Sequence, residues 1–241
     1  MIQVAALYVE TGGCYFGLPH VDPWDEARDA RLYAGPWPVV AHPPCARWCN
    51  LAGLVQHRYP HLRKGEDGGC FAAALAAVRR FGGVLEHPAY SRAWEAHGLR
   101  WPVRGRWREA DTQGGMTAHV EQANYGHRGR KATWLYAVGC DLPQLRWQKA
   151  DAPQLWLSWC GNRNGHRGGI VQRMNKRERA ATPIEFRDVL IAMAITAGRP
   201  EVAASGVGHE QHRGENVDHR DPQNEDSRCL VHGPGWADLR P

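Results

Sequence analysis

Three short apolar runs in this sequence end in residues that can do chemistry. Residues 38–41 run into His42-Pro43-Pro44-Cys45, and Val84-Leu85 runs into Glu86-His87-Pro88. Tyr125-Gly126-His127-Arg128-Gly129-Arg130-Lys131 leads into a further run at 133–138. Two consecutive prolines fix φ and extend the residue before them, so the Cys45 thiol stands on a stiff turn. A thiol so placed is a candidate nucleophile, and the basic neighbours Arg47 and His42 would lower its pKa. Glu86 could hydrogen-bond the edge of a bound ring. Against apolar groups its pKa would rise, and it could then protonate a ring atom. Arg128 and Arg130 carry the paired donors that hold a carbonyl oxygen or a phosphate. A zinc site competes for the same thiol, because His42, Cys45 and Cys49 are close in sequence and Cys70 or His87 could complete a tetrahedron. No Cys-x-x-Cys pair accompanies them, so no metal is expected.

These residues need a frame that brings strand ends together. Residues 2–9 read as a buried strand closed by Gly12-Gly13, and 38–41 as a second. Residues 70–81 are Ala-rich, apolar at helical spacing and stopped by Gly82-Gly83, which predicts a helix. A third strand starts at Val84, and others are expected at 117–122 and 133–138. A helix over 183–197 opens with Pro183 and Glu185. Residues 14–37 hold at most a short helical stretch at 25–32, and 49–68, 97–115 and 160–182 read as loops. The alternation predicts an α/β sheet with chemistry at strand ends.

At 241 residues, 43% apolar and 23% charged, the chain has the profile of one globular domain. It shows no bilayer-length apolar run and no secretion signal, so the expected place is the cytoplasm (a host's, if phage-encoded), with cysteines as thiols. Residues 199–241 are polar and expected to be disordered, leaving 1–198 as the catalytic domain. From residue 200 on there are eight acidic and four basic side chains, so a net charge of +5 conceals a body at +9. A basic body suits a polyanion such as DNA. Eleven tryptophans stand against four phenylalanines. Several, including Trp48, Trp101, Trp107 and Trp147, lie beside arginine or in loops, where indoles stack on unpaired bases; equally, they could fill a core in place of Phe.

Five segments, in order, resemble motifs of the DNA (cytosine-5) methyltransferase family. Ala6-Leu7-Tyr8-Val9-Glu10-Thr11-Gly12-Gly13 is similar to its first strand and Gly-rich turn, and His42-Pro43-Pro44-Cys45 to its Pro-Cys nucleophile motif. Leu85-Glu86-His87-Pro88 is similar to its Glu-Asn motif, and Asn124 through Arg130 to the Tyr-Gly motif that ends in Arg-x-Arg. Ala181-Thr182-Pro183 and the helix after it stand where the family's last motif packs onto the first strand. The resemblance implies a methyltransferase-like, Rossmann-related sheet in which Cys45 adds to C6 of a flipped-out pyrimidine, making C5 a carbon nucleophile. It gives Glu86 the N3 side of the ring and Arg128 or Arg130 the O2 carbonyl. Glu10, Thr11, Gly12, Gly13, Pro44, His87, Tyr125 and Lys131 would bind substrate or cofactor.

The departures point to a changed donor. A nucleoside cofactor takes a Gly-rich turn and an acid on the next strand. One βαβ unit already needs roughly 30 residues, and the interval from Gly13 to Val39 is interrupted by Pro19, Pro23, Pro36 and Pro38. Asp22, Asp25 and Glu26 are available but read as loop residues. Glu10 replaces a small residue of the family, His87 replaces its Asn, and no long target-recognition region is present. A reduced or remodelled cofactor half is therefore expected. If C5 already bears a methylene with a leaving group, Cys45 addition would expel that group, and an amine could trap the product. In this the chain resembles bacteriophage thymine-hypermodification enzymes that transfer an amino acid such as glycine onto 5-phosphomethyl-deoxyuridine, where Arg128, Arg130 or Lys131 would hold the departing phosphate. The co-substrate would be a small amine. S-adenosylmethionine-dependent cytosine methylation and a non-catalytic nucleic-acid-binding module are the alternatives.

Overall fold

A computed structural model describes residues 1, 3–49, 51–149 and 174–197. Four short segments form its parallel half: β1 (Val4–Leu7), β2 (Val21–Trp24), β3 (Val39–Ala41) and β4 (Gly83–Pro88). β5 (Arg108–Glu109), β6 (Met116–Glu121) and β7 (Ala132–Val138) add an antiparallel half, and the seven strands run β2-β1-β3-β4-β7-β6-β5. β1 and β3 are apolar at every position because helices cover both their faces. On one face α2 (Cys70–Phe81) contributes Phe71, Ala74, Leu75 and Val78. On the other, α5 (Ile184–Ala197) contributes Phe186, Leu190, Met193 and Ala194. The α2-to-β4 turn admits only glycine: Gly83 has φ +114, and a Cβ there would lie 2.0 Å from the Val39 carbonyl oxygen.

The architecture is a mixed α/β fold, and most expected elements form. α2 spans 70–81 as anticipated, and the strands at 4–7, 39–41, 83–88, 116–121 and 132–138 lie within a few residues of their expected places. The stretch at 25–32 resolves into two 3₁₀ turns, Glu26–Arg28 and Ala30–Leu32, separated by Asp29 at φ +46. Four elements fall in spans read as loops. β2 contains Pro23, which discouraged a strand reading, but β2 is an edge strand bonded to β1 alone, where a missing N–H is tolerated. α1 (Ala52–Arg58), β5 and α4 (Lys176–Ala180) are the others; α4 opens with a capping box between Asn175 and Glu178. α3 (Arg92–Ala96), capped by Ser91, was also unanticipated. The expected tail disorder over 199–241 and most of the 160–182 loop lie outside the described residues. No described helix is long and apolar enough to cross a membrane.

The chain leaves β1 toward β2 on one side and returns to β3 on the other. Such a switch point opens a crevice at the carboxyl ends of the two strands. Residues 8–20, which link β1 to β2, form turns and no helix. The segment that would carry the first helix of a cofactor-binding half is thus an irregular connection.

Candidate active site

Cys45 reaches the switch point on the turn after β3. The His42 N–H still bonds the Leu7 carbonyl of β1 at 3.0 Å, so the start of the turn remains tied to its neighbour strand. Beyond the thiol, Trp48 N–H closes on the Cys45 carbonyl at 3.0 Å, and the Trp48 indole donates to Asp67 at 2.8 Å. Pro44 is exposed on this turn and Cys45 partly so. Burial pushes the Cys45 thiol up to about 12, the Glu86 carboxylate adds to the rise, and Lys131 opposes it. The expected lowering by Arg47 and His42 is overturned: desolvation dominates, and His42 is committed elsewhere.

That commitment is a buried relay. Glu86 Oε2 accepts from His42 Nδ1 at 3.0 Å, and His42 Nε2 meets the Tyr15 hydroxyl at 2.8 Å. Glu86 Oε1 accepts from Gln122 Nε2 at 2.8 Å and from Thr133 Oγ1 at 3.3 Å. With the carboxylate ionised, Glu86 can only accept, so His42 Nδ1 carries a proton toward it and Nε2 faces the Tyr15 hydroxyl. Burial alone would raise the Glu86 pKa, but the His42 hydrogen bond and the Lys131 charge outweigh it and hold the carboxyl at about 2. The expected upward shift is therefore reversed, and Glu86 has no proton to give at neutral pH. Burial holds the Tyr15 hydroxyl well above its ordinary value.

Lys131 completes the cluster. Its ammonium donates to the carbonyls of Ala180 at 3.0 Å and Ala181 at 2.8 Å, satisfying the last carbonyls of α4. Burial lowers its pKa, and the charges of Glu86, Cys45 and Cys14 resist the fall. A thiol, a carboxylate and an ammonium from three distant segments thus act on one another at the end of the sheet where β3 and β4 finish and β7 starts.

The Gly-rich turn stands beside them. Gly12 takes φ +67, and Gly13 N–H bonds the Glu10 carbonyl at 2.8 Å. Glu10 pairs with Arg177 at 3.3 Å, and Thr11 donates to Asp25 at 2.7 Å. Two acids read as loop residues are placed differently: Asp22 lies within β2, paired with Arg28, and Asp25 directly follows its last residue.

Other expected residues are used elsewhere. Arg130 is held by Glu121 through bonds of 3.1 and 3.2 Å on the face that carries Trp134, whereas Glu86 faces the α5 side. Arg128 pairs with Glu178 at 3.4 Å on the surface. Neither guanidinium joins the Cys45 cluster; Lys131 is the cation that does. His87, one residue after Glu86 on a strand, must point to the opposite face. It is fully buried against Phe71 and Trp94, and burial pushes it down to about 4, with Glu86 and the Pro44 backbone opposing the fall. Tyr125 packs on Phe186 at 5.0 Å, and its hydroxyl accepts from the Arg146 N–H at 2.9 Å. Both take part in core packing.

Comparisons of this chain with protein-family models, curated proteins and solved structures find no match. The site therefore stands on its own geometry. Among the described residues, no three His, Cys, Asp or Glu side chains are grouped to hold a metal ion. Cys49 donates to the Ala46 carbonyl at 3.5 Å. Tyr15, Gln122 and Thr133 were not singled out from sequence. Thr133 reads as an ordinary strand residue, Gln122 as a strand end, and Tyr15 lies in a Gly-rich segment without periodicity. The tryptophans divide: Trp48, Trp94 and Trp134 fill the core, while Trp101 is exposed.

Proposed function

We propose that this chain is a transferase acting at C5 of a pyrimidine in DNA, through a covalent bond from Cys45 to ring carbon C6. The observation that carries the reading is the convergence of Cys45, Glu86 and Lys131 beside the β1–β3 switch point. Cys45 and Glu86 come from two motifs of the resemblance, Lys131 directly follows a third, and a mixed α/β sheet is compatible with the frame that resemblance implies. The favoured substrate is 5-phosphomethyl-deoxyuridine, with an amino acid such as glycine as co-substrate, because the short β1–β2 connection leaves little structure for a nucleoside cofactor.

The reaction balances without an oxidant. The Cys45 thiol loses its proton to water, and the sulfur bonds C6 as the C5–C6 π pair moves toward the C4 carbonyl. That pair returns to expel phosphate from the C5 methylene, leaving an exocyclic double bond. The glycine nitrogen bonds the methylene carbon and gives up a proton, and the thiolate leaves C6 to restore the ring. Lys131 offsets the negative charge that builds in this sequence. Glu86 acts as a positioning residue: it fixes the His42 tautomer and, through it, the Tyr15 hydroxyl.

One observation favours S-adenosylmethionine-dependent cytosine methylation as a second reading. Asp25 follows β2 and touches the Gly-rich turn through Thr11, a position from which an acid meets a ribose in open α/β sheets. Nucleoside mass spectrometry separates the two. DNA carrying 5-phosphomethyl-deoxyuridine should gain the mass of glycine in place of phosphate when incubated with protein and glycine. Methyl transfer to cytosine, seen only with S-adenosylmethionine, would replace the first reading with the second. No modified nucleoside under either condition, with Cys45→Ser DNA binding unchanged, would leave a binding module.

A further inference from the structure

We infer that the surface around Trp101 is the seat of an unpaired DNA strand, with a base stacked on the indole and phosphates against the arginines beside it. The inference rests on the DNA reading above and gives it a place on the molecule. This surface lies on the sheet face opposite Glu86, at the same end of the sheet, where β4 and β6 finish.

Trp101 leaves 45% of its surface exposed, so part of its indole is open to solvent. The ring is not loose. It packs on Trp134 at 5.2 Å and on Tyr90 at 6.5 Å. Trp134 is itself buried against Trp94 at 5.5 Å and donates to His119 at 3.0 Å. A base landing on Trp101 would extend an aromatic array already held in place, with little ordering cost.

The charge beside it has the matching sign. Arg104 and Arg130 share the buried Glu121 carboxylate, at 3.2 Å for Arg104 and 3.1 Å for Arg130. Arg104 leaves 47% of its side chain exposed, so its anchored guanidinium keeps further donors to offer. A β-bridge between Arg104 and His119 ties this segment to the sheet. Arg106 and Arg108 flank it and form no ion pair among the described residues. Arginines alone would suit duplex phosphates. An exposed indole on a rigid base suits a nucleobase face that only an unpaired strand presents, and base extrusion leaves such nucleotides next to the target.

The test measures binding of full-length protein to a short single-stranded oligothymidylate and to a duplex of equal length, as salt is raised. Trp101→Ala should weaken single-strand binding by roughly 5- to 100-fold without changing the salt slope, and Trp101→Phe should recover most of the loss. Arg106→Gln with Arg108→Gln should reduce the slope by about 1.4. If the wild type binds DNA and Trp101→Ala binds equally well, this surface is wrong while the DNA reading stands. Tighter duplex binding that ignores Trp101 would also overturn it. A wild type that binds neither form removes this inference and the DNA reading together.

Discussion

At the residue scale, the Cys45 thiol is controlled by two charges of opposite sign. Glu86 and burial hold it protonated, and Lys131 pulls toward the thiolate. A pKa of about 12 against an ordinary value of 9.0 means on the order of a thousandfold less thiolate near neutrality. Alkylation of Cys45 by iodoacetamide, followed by peptide mass spectrometry, should therefore be slow at pH 7 and accelerate about tenfold per pH unit through pH 10. Glu86→Gln removes a charge that raises the thiol pKa, so Cys45 should alkylate several-fold faster; Lys131→Met should slow it. A plateau below pH 8, or slower alkylation in Glu86→Gln, would contradict this electrostatic picture.

At the element scale, strand alternation both builds the site and hides rings from solvent. β4 turns Glu86 toward the relay and His87 into the opposite core; on β6, His119 is buried beneath Trp134. Burial pushes both imidazoles down to about 4 from 6.5. Between those values the unfolded chain binds protons that the fold refuses, so stability is present above pH 6.5 and falls on acidification toward 4. Each ring contributes on the order of 3 kcal/mol to that loss. Urea unfolding from pH 7.5 to 4.5 should show the decline, and His87→Leu should flatten about half of it. An unchanged slope would mean that His87 takes up its proton in the folded state.

The same scale explains what was legible. α2 could be placed from its alanines and the Gly82-Gly83 stop, and the apolar runs gave the core strands. β2 stayed hidden because Pro23 is a strand breaker except at an edge, and edge position is a property of the whole sheet. Cys45 and Glu86 could be read from their places at strand ends. Their pKa directions could not, because both depend on folding: burial and Glu86 raise Cys45, while the His42 hydrogen bond and the Lys131 charge outweigh burial at Glu86. The partners of Arg128 and Arg130 were hidden for the same reason, since Glu178 and Glu121 meet them across 50 and nine positions.

At the scale of the whole molecule, this end of the sheet joins two kinds of surface. One face carries the thiol, the ammonium and the Tyr15–His42–Glu86 relay; the other carries the arginines and the exposed Trp101. A basic body and an unpaired-strand platform would deliver a flipped base to a nucleophile at the switch point. The most direct test of that account is to incubate the protein with DNA containing a 5-fluoropyrimidine, then digest it and sequence the adduct by tandem mass spectrometry. The account predicts one covalent protein–DNA species, with the nucleotide attached to Cys45 and no adduct in Cys45→Ser. An adduct at another residue, or none at any pH where Cys45 alkylates, would contradict it.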